Sequence, residues 1–388
     1  MATIIFAGYL VRYPLGGYAW QMAHYLAGFR ELGHDVWFYE DTGDWDCGYA
    51  FNPINNEFAR TYDYGIETTA AFFGKVGFGD RWVFCDLERG LRYGPGANYV
   101  DQLKAKADVL VSLGPVNRLS REPFANRASI YIDSDPIYAQ LKLATGDASL
   151  RAVVDAHSLH FTFGENIGKP GSDLPTGGYK WHQTRQPVAM EFWESAAGPG
   201  RAYTTVGKWD SFGRDTTYRG ETFSWRKSTE WRRFLELPSV TLPNFELAMD
   251  VDRVPGDLEL LERHGWSVVD PNHVSADPWR YRDYVRGSRG EFTVAKDMNV
   301  RLRSGWFSDR AACYLAAGRP AVEQDTGFGD NLPTGPGLHA FQTLDDAAEA
   351  IREIEGNYHL ASAHATAVAR EYFAADRVLG DLLSFAGF

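Results

Sequence analysis

The sequence predicts an α/β protein made of two Rossmann-like domains that face a central cleft. The chain has 388 residues, which is too long for one ordinary core, since domains commonly hold about 100 to 200 residues. Short apolar runs suited to buried parallel strands alternate with helical segments. This alternation occurs twice, on either side of a Gly- and Pro-containing stretch at 195–202, which is typical of an interdomain linker.

The first half begins with a strand–helix–strand pattern. Residues 3–8 are an apolar strand, and Gly16 and Gly17 precede a helix whose apolar positions recur every three or four residues until Gly33 ends it. The second strand, 35–39, ends at an acidic pair, Glu40-Asp41. Further strands are predicted at 108–113, 129–132 and 157–163, with 45–100 as an irregular insertion around one helix.

The second half repeats this arrangement. Strands are predicted at 203–206, 246–249, 267–269, 320–323 and 338–341. Helices are predicted at 226–236, 256–264, 278–287, 308–317 and 345–355, followed by a long helical stretch at 359–386. The expected division is a first domain at 1–194, a linker at 195–202, a second domain at 203–365 and a terminal helix at 366–388.

Composition and charge exclude several classes of protein. Hydrophobic residues make up 44% and charged residues 23% of the chain, which is typical of a folded globular protein. The net charge of -12 opposes a polyanionic partner, so no nucleic acid is expected. Without a long apolar run or a signal peptide, a cytoplasmic protein is expected. Cys47, Cys85 and Cys313 lack the spacing of a disulfide framework or a zinc site.

The strongest local pattern is the segment 304–330, which combines a predicted helix start with a glycine-rich loop. Ser308 is suited to cap a helix that Gly318 ends, and Arg310 lies in its first turn. A helix N-terminus with a nearby arginine attracts a pyrophosphate, although a core helix with a surface arginine has the same pattern. Lys208, Lys227 and Lys296 are further candidate cations for an anionic ligand, or solvated surface groups.

The layout resembles a GT-B glycosyltransferase. The resemblance rests on the first strand, glycine loop and helix closing with Gly33-His34-Asp35-Val36, and on a later helix closing with Ala316-Ala317-Gly318-Arg319-Pro320 before a glycine loop. It implies that the second domain binds a nucleoside diphosphate sugar, the first binds the acceptor, and the last helix crosses back to the first domain. By that resemblance, residues 304–310, Lys208, Lys227 and the loop 326–331 hold the donor. The full set of expected donor-binding residues is Gly16, Gly17, Lys208, Lys227, Lys296, Gly305, Ser308, Asp309, Arg310, Thr326, Gly327, Phe328, Gly329 and Asp330.

Two positions depart from the well-known motifs of that family. Cys313 stands where many members have a ribose-binding glutamate five residues before the closing glycine, and Gly305 stands where the paired-glutamate motif has its first acid. The nucleotide and the stereochemical outcome are therefore open. The expected reaction is transfer of a hexose from a nucleoside diphosphate sugar to a small or medium acceptor hydroxyl.

An acceptor hydroxyl must lose its proton, and the candidate bases are Asp135 and Asp133, then His24. His24 has an alternative role in helix packing, and Asp133 an alternative role as a helix cap. Asp133-Ser134-Asp135 also matches the DxD pattern of metal-dependent transferases, but the cations of the second domain favour metal-independent neutralisation of phosphate. No metal and no cofactor besides the donor are expected. Acceptor contacts are predicted at Glu165, Trp181, His182 and Arg185.

Other functions use the same architecture. A sugar-nucleotide epimerase or hydrolase would consume donor without an acceptor, and a non-catalytic nucleotide- or sugar-binding protein would bind donor without turnover. A dinucleotide-dependent redox enzyme is disfavoured, because the first loop, residues 8–16, is not GxGxxG.

Overall fold

The computed structural model describes residues 1–43, 50–121, 127–194, 198–210 and 213–388. In chain order, the first half contains β1 (Thr3–Ala7), α1 (Gly16–Glu31), β2 (Asp35–Asp41), β3 (Ala50–Asn52), β4 (Glu57–Ala59), α2 (Asp63–Lys75), β5 (Trp82–Asp86), β6 (Leu91–Tyr93), α3 (Val100–Lys106), β7 (Val109–Leu113), β8 (Ala128–Asp133), α4 (Tyr138–Ala144), α5 (Ala148–Asp155), β9 (Leu159–Thr162) and β10 (His182–Gln183).

The elements of the second half build the other sheet and the terminal helices. They are β11 (Ala202–Gly207), β12 (Thr216–Tyr218), β13 (Glu221–Phe223), α6 (Ser228–Trp231), α7 (Leu237–Val240), β14 (Asn244–Met249), α8 (Asp257–Arg263), β15 (Trp266–Val269), α9 (Pro271–Ser275), α10 (Pro278–Arg286), β16 (Gly290–Thr293), α11 (Asp297–Arg301), α12 (Asp309–Ala316), β17 (Ala321–Gln324), β18 (Leu338–Phe341), α13 (Leu344–Gly356), α14 (Tyr358–Tyr372) and α15 (Ala375–Phe385).

Two sheets organise the molecule, and the predicted α/β class with two Rossmann-like halves is confirmed. The first sheet has the order β10-β9-β8-β7-β1-β2-β5-β6 and is parallel except for β6. The second has the order β15-β14-β11-β16-β17-β18 and is parallel throughout. The central strands are buried on both faces, as in β1, where Ile4, Ile5 and Phe6 are fully buried.

Several segments differ from the sequence-based expectation. The insertion at 45–100 contributes β5 and β6 to the main sheet and the separate β3–β4 hairpin, in addition to a helix. The predicted helix at 226–236 is only α6 followed by a 3-10 turn. β16, which pairs with both β11 and β17, was not predicted, because its short sequence carries Glu291 inside the strand. The domain boundaries remain a prediction, and residues 195–197 of the predicted linker lie outside the described residues.

The terminal helical stretch is two helices rather than one, and the second packs on the first domain. The break at Phe373 and Ala374 occurs because the chain there pairs with Val188, whose N–H donates to Phe373 O at 2.7 Å and whose carbonyl accepts from Ala375 N at 3.0 Å. α15 then lies against α1 so closely that a Cβ on Gly28 would be 2.7 Å from Leu379 Cδ1. The predicted return of the last helix is thus confirmed. Among the described residues, no helix combines the length and the apolar character needed to cross a membrane.

Replacing Leu379 with Ala tests this docking. Leu379 is fully buried against α1, so we expect truncation to lower the free energy of unfolding by about 2–5 kcal/mol and to lower the calorimetric melting temperature. The matched control is Leu360→Ala on α14. Because Leu360 is 50% exposed, this change should lower the free energy of unfolding far less. Equal effects of the two variants would show that α15 is not docked as described.

Candidate active site

The two domains meet where the carboxyl ends of their strands face each other. Asp135, just after β8, forms a 2.7 Å ion pair with Lys296 Nζ, which follows β16. Asn166 Nδ2, after β9, donates to Arg303 O at 3.0 Å and to Gly327 O at 3.2 Å. The edges that bind ligands in open α/β sheets therefore form the walls of one cleft.

On the first-domain wall, the loop after β1 is fixed by one buried carboxylate. Glu40, at the end of β2, accepts hydrogen bonds from the N–H groups of Leu10, Val11 and Arg12 at 2.6, 2.7 and 3.1 Å, and from Arg12 Nε at 3.2 Å. Asp41 similarly accepts from the N–H groups of Arg118 and Leu119. The acidic pair that ends β2 therefore orders the neighbouring loops.

On the second-domain wall, Arg310 is held beneath the N-terminus of α12. Its Nε donates to Glu291 Oε1 at 2.5 Å, and its terminal nitrogens donate to Val206 O at 2.6 Å and Thr293 Oγ1 at 3.0 Å. Ser308 caps the helix by accepting from Ala311 N at 3.4 Å. The guanidinium therefore places its positive charge at the start of α12. Most of its N–H groups already donate hydrogen bonds within the protein.

Lys227 lies next to this group. Its Nζ sits 5.7 Å from the centroid of the Trp306 ring. Burial, together with the positive charges of Arg310 and Lys296, lowers the pKa of Lys227 to about 7. Lys208, which follows β11, is exposed. The amine of Lys227 is therefore balanced between its charged and neutral forms near neutral pH.

Two buried glutamates offset these cations, and the sequence-based reasoning missed both. Glu291 and Glu323 lie inside β16 and β17, and burial raises the pKa of each carboxyl. Glu291 Oε2 and Glu323 Oε1 are buried without a hydrogen-bond partner in the described part of the chain. An acid within an otherwise apolar strand was the available signal, since such a group is rarely buried unless it has a partner or a function.

The three predicted bases differ in their surroundings. Asp135 is exposed in the cleft. Asp133 is buried and accepts from Gln140 Nε2 at 2.8 Å and Thr162 Oγ1 at 3.0 Å, and burial raises its pKa to about 6. His24 is fully buried inside α1, with its ring nitrogens 3.1 Å from Ala189 N and 3.0 Å from Trp193 Nε1.

These surroundings correct two of the three assignments. Burial lowers the pKa of His24 to about 3, so it is a neutral packing residue that an acceptor does not reach. Asp133 orders the turn after β8 through its internal hydrogen bonds, whereas Asp135 pairs with Lys296. Among the described residues, no group of three or more His, Cys, Asp or Glu side chains could hold a metal ion.

The predicted acceptor residues are also corrected in part. Trp181 is buried and donates from Nε1 to Thr176 O at 2.8 Å. The ring of His182 packs on Phe385 of α15, with centroids 4.5 Å apart, so it contacts the terminal helix. Glu165 and Arg185 bind each other through two contacts of 2.6 and 2.8 Å, and Arg185 reaches Asn331 O at 3.2 Å. These two residues therefore join the domains.

Four of the five predicted donor-binding glycines lie at contacts between the domains. A Cβ on Gly16 would lie 2.4 Å from Tyr281 Cβ of α10, so this glycine permits contact between helices and does not form a phosphate loop; Gly17 faces the same tyrosine. Gly305 and Gly327 have φ values of 77° and 83°, and a Cβ on either would lie 2.8 Å from Asn166. These backbones therefore require glycine.

The remaining predicted donor residues lie in the segment 304–331. The Thr326 hydroxyl donates a hydrogen bond to Trp306 O. Phe328 is buried against Phe307, with ring centroids 5.3 Å apart. Gly329 and Asp330 are exposed. Asp309 lies in the first turn of α12, where its Oδ2 is 3.4 Å from Gln21 Nε2 of the first domain. Thr326 and Phe328 therefore support the loop from inside, which leaves Asp309, Gly329 and Asp330 as its accessible groups.

Comparison with solved structures identifies the fold. An α-glucosyltransferase in complex with UDP and a 13-mer DNA has a TM-score of 0.60 at 11% identity, covering 100% of this chain and 99% of that one. The Anabaena protein HepE in complex with UDP-glucose has a TM-score of 0.54 at 10% identity, covering 99% and 100%. No family model matches the chain, and no curated protein matches it. The chain is therefore a GT-B-fold protein, as the resemblance implied.

The same comparison overturns the expected partners. The expectation of a small-molecule acceptor and no nucleic acid is contradicted, because the α-glucosyltransferase that shares this fold along its length is bound to DNA. The error came from the net charge of -12, which describes the whole surface. A ligand responds to the local potential of the surface that it contacts, so net charge does not decide the class of acceptor.

Replacing Arg310 with Ala should destabilise the protein as well as alter the site. Removing the partner of a buried carboxylate costs about 3–5 kcal/mol, and Glu291 is fully buried. Burial already raises the pKa of Glu291 above its ordinary 4.5, and loss of the Arg310 charge raises it further. The stability lost relative to the native protein should therefore grow as pH rises through the interval between these two folded-state pKa values, which unfolding measured at pH 4 to 8 would show.

The matched control is Arg370→Ala, which breaks an exposed ion pair with Glu194 and should change stability by at most about 1 kcal/mol. A stability loss in Arg310→Ala that is the same at pH 4 and pH 8 would contradict the role assigned to Glu291.

Proposed function

We propose that the protein is a glycosyltransferase that moves a hexose from a nucleoside diphosphate sugar to an acceptor hydroxyl. The observation that carries this proposal is the convergence of Lys227, Arg310, Lys296 and the start of α12 on one side of the cleft, opposite Asp135. Structures of the same fold contain UDP or UDP-glucose, which agrees with a nucleoside diphosphate donor. The protein is expected to act without a metal ion.

In the proposed reaction, the acceptor oxygen forms a bond to the anomeric carbon of the donor, and the bond from that carbon to the diphosphate oxygen breaks. The negative charge that develops on the leaving diphosphate is stabilised by Lys227, by Lys296 and by the amide groups at the start of α12. Arg310 adds its charge from beneath, through its fixed contacts with β11 and β16.

Asp135 is proposed to take the proton of the acceptor hydroxyl. Its carboxylate is exposed in the cleft, next to the Lys296 amine. Asp309, on the opposite wall, carries a carboxylate that would repel phosphate, so it is proposed to accept hydrogen bonds from hydroxyl groups of the transferred hexose. Both roles follow from the ordinary preference of carboxylates for hydroxyl donors.

Replacing Asp135 with Asn should reduce the turnover of sugar transfer by about 10²–10⁴-fold, because an amide does not accept a proton at neutral pH. UDP binding should persist, because every residue proposed to hold the diphosphate is retained, although Lys296 loses its ion pair with the replaced carboxylate. Asp101→Asn, which alters an exposed aspartate paired with Arg92, is the matched control. Undiminished transfer by Asp135→Asn, measured with a donor and acceptor that the native protein uses, would exclude Asp135 as the base.

The binding of UDP should weaken as pH rises from 7 to 9. The pKa of Lys227 is about 7, so its amine loses its charge over this range in the free protein, whereas a bound diphosphate favours the charged form. We expect the dissociation constant to rise by up to about tenfold per pH unit and binding to take up protons. Titration calorimetry in buffers of different ionisation enthalpy would measure both.

Lys227→Met should bind UDP weakly and lose most of this pH dependence, whereas Lys180→Met, at an exposed position of the first domain, should behave like the native protein. Melting-temperature shifts with UDP, GDP and ADP, with and without chelator, identify the preferred nucleotide and test the metal independence. Absence of a shift with every nucleotide would contradict the proposed donor class.

A further inference from the structure

A row of five aromatic side chains runs along the first-domain wall of the cleft and has no part in the proposed chemistry. It consists of Tyr18, Tyr9, Tyr13, Phe51 and Phe58, called here the aromatic row. Ring centroids are 4.8 Å apart for Tyr18 and Tyr9, 5.6 Å for Tyr9 and Tyr13, 5.9 Å for Tyr13 and Phe51, and 5.4 Å for Phe51 and Phe58. The rings therefore form a continuous surface.

The inner end of this row lies at the candidate active site. Tyr18 directly follows Gly17, where a Cβ would lie 3.6 Å from the Tyr281 hydroxyl of the second domain, so this end of the row adjoins the opposite wall. Burial raises the pKa of both Tyr9 and Tyr18, and the negative charge of Asp135 contributes to both shifts. The outer end is the β3–β4 hairpin, where Asn56 Oδ1 accepts from Arg253 of the second domain at 3.3 Å. The row therefore follows the cleft from its centre to its mouth.

The backbone beneath the row is held in place before any ligand arrives. Phe51 N donates to Arg12 O at 2.8 Å, and Glu40 holds the N–H of Arg12. Phe51 and Phe58 are cross-strand partners in the hairpin, so their rings lie on the same face. Phe58 is 52% exposed and the other four rings are half-buried. A fixed and accessible aromatic surface lowers the entropic cost of binding.

We propose that the aromatic row binds the sugar rings of an oligosaccharide acceptor, beyond the unit whose hydroxyl reacts. The inference rests on the proposed transferase function for the identity of the reacting end. A sugar ring presents an apolar C–H face, which packs on an aromatic ring, and hydroxyl groups at its edge. Three of the five rings are tyrosines, so phenolic oxygens lie beside the apolar surfaces and match such a ligand.

The charges beside the row favour this ligand over a nucleic acid. A DNA strand is held mainly by cations that contact its phosphates. The Arg12 guanidinium is engaged by Glu40, Thr42 O and Val116 O, and Lys296 is engaged by Asp135. Because both cations already bind other groups of the protein, they are not available to bind a phosphate backbone. A neutral sugar chain does not require them.

Saturation-transfer NMR of the full chain tests the proposal with defined probes: maltohexaose, cellohexaose, chitohexaose, the corresponding disaccharides and a single-stranded DNA 13-mer. We expect at least one hexasaccharide to bind more tightly than its disaccharide. Phe58→Ala should weaken the binding of that hexasaccharide by about three- to tenfold and leave the disaccharide unaffected. Because Phe58 is half-exposed, the variant is expected to fold, and its melting temperature checks this.

Leu360→Ala, which removes an exposed apolar side chain on α14, is the matched control and should leave binding unchanged. Binding of DNA alone, or of no probe, would overturn the proposal, as would hexasaccharide binding that is insensitive to Phe58→Ala. A UDP-induced melting shift of Phe58→Ala, measured in parallel, separates this failure from failure of the proposed donor site. A normal shift without sugar binding contradicts only the aromatic row.

Discussion

The arrangement of the second domain depends on one buried ion pair, that of Arg310 with Glu291. Arg310 contacts the end of β11 through Val206 O and the interior of β16 through Glu291 and Thr293, while its own backbone begins α12. One side chain thus connects two central strands and the helix whose N-terminus faces the cleft. Without it, a carboxylate would remain buried and unpaired, which few folds tolerate.

The first domain uses the same physical device in a different form. Glu40 is fully buried, and it gathers three successive backbone N–H groups together with the Arg12 guanidinium. The loop that results carries Tyr9 and Tyr13 and holds the β3–β4 hairpin through Arg12 O. In both domains a buried carboxylate therefore fixes the loop or helix that faces the ligand, because a charge removed from water needs many hydrogen-bond donors.

The cleft combines opposite charges in a protein with a strongly negative net charge. Lys227, Lys296 and Arg310 supply positive charge to one side of the cleft, and Asp135, Glu291 and Glu323 balance it in the free protein. Burial holds the pKa of Lys227 near neutrality, so a bound anion would complete its protonation. Local charge of this kind, rather than the sum over the chain, governs which ligand binds.

The sequence by itself determined the fold class, most strand positions and the cap at Ser308, because apolar periodicity and capping residues act locally. The return of the last helix was expected only from the resemblance to the GT-B family. Tertiary structure decided the rest of the site. His24 and Asp133, predicted as bases, and Trp181, predicted as an acceptor contact, are buried as packing or turn-forming residues. Glu291, which was not among the predicted site residues, is buried as the partner of Arg310. Whether a titratable side chain meets solvent or a partner depends on contacts between residues far apart in the chain, and local patterns do not encode them.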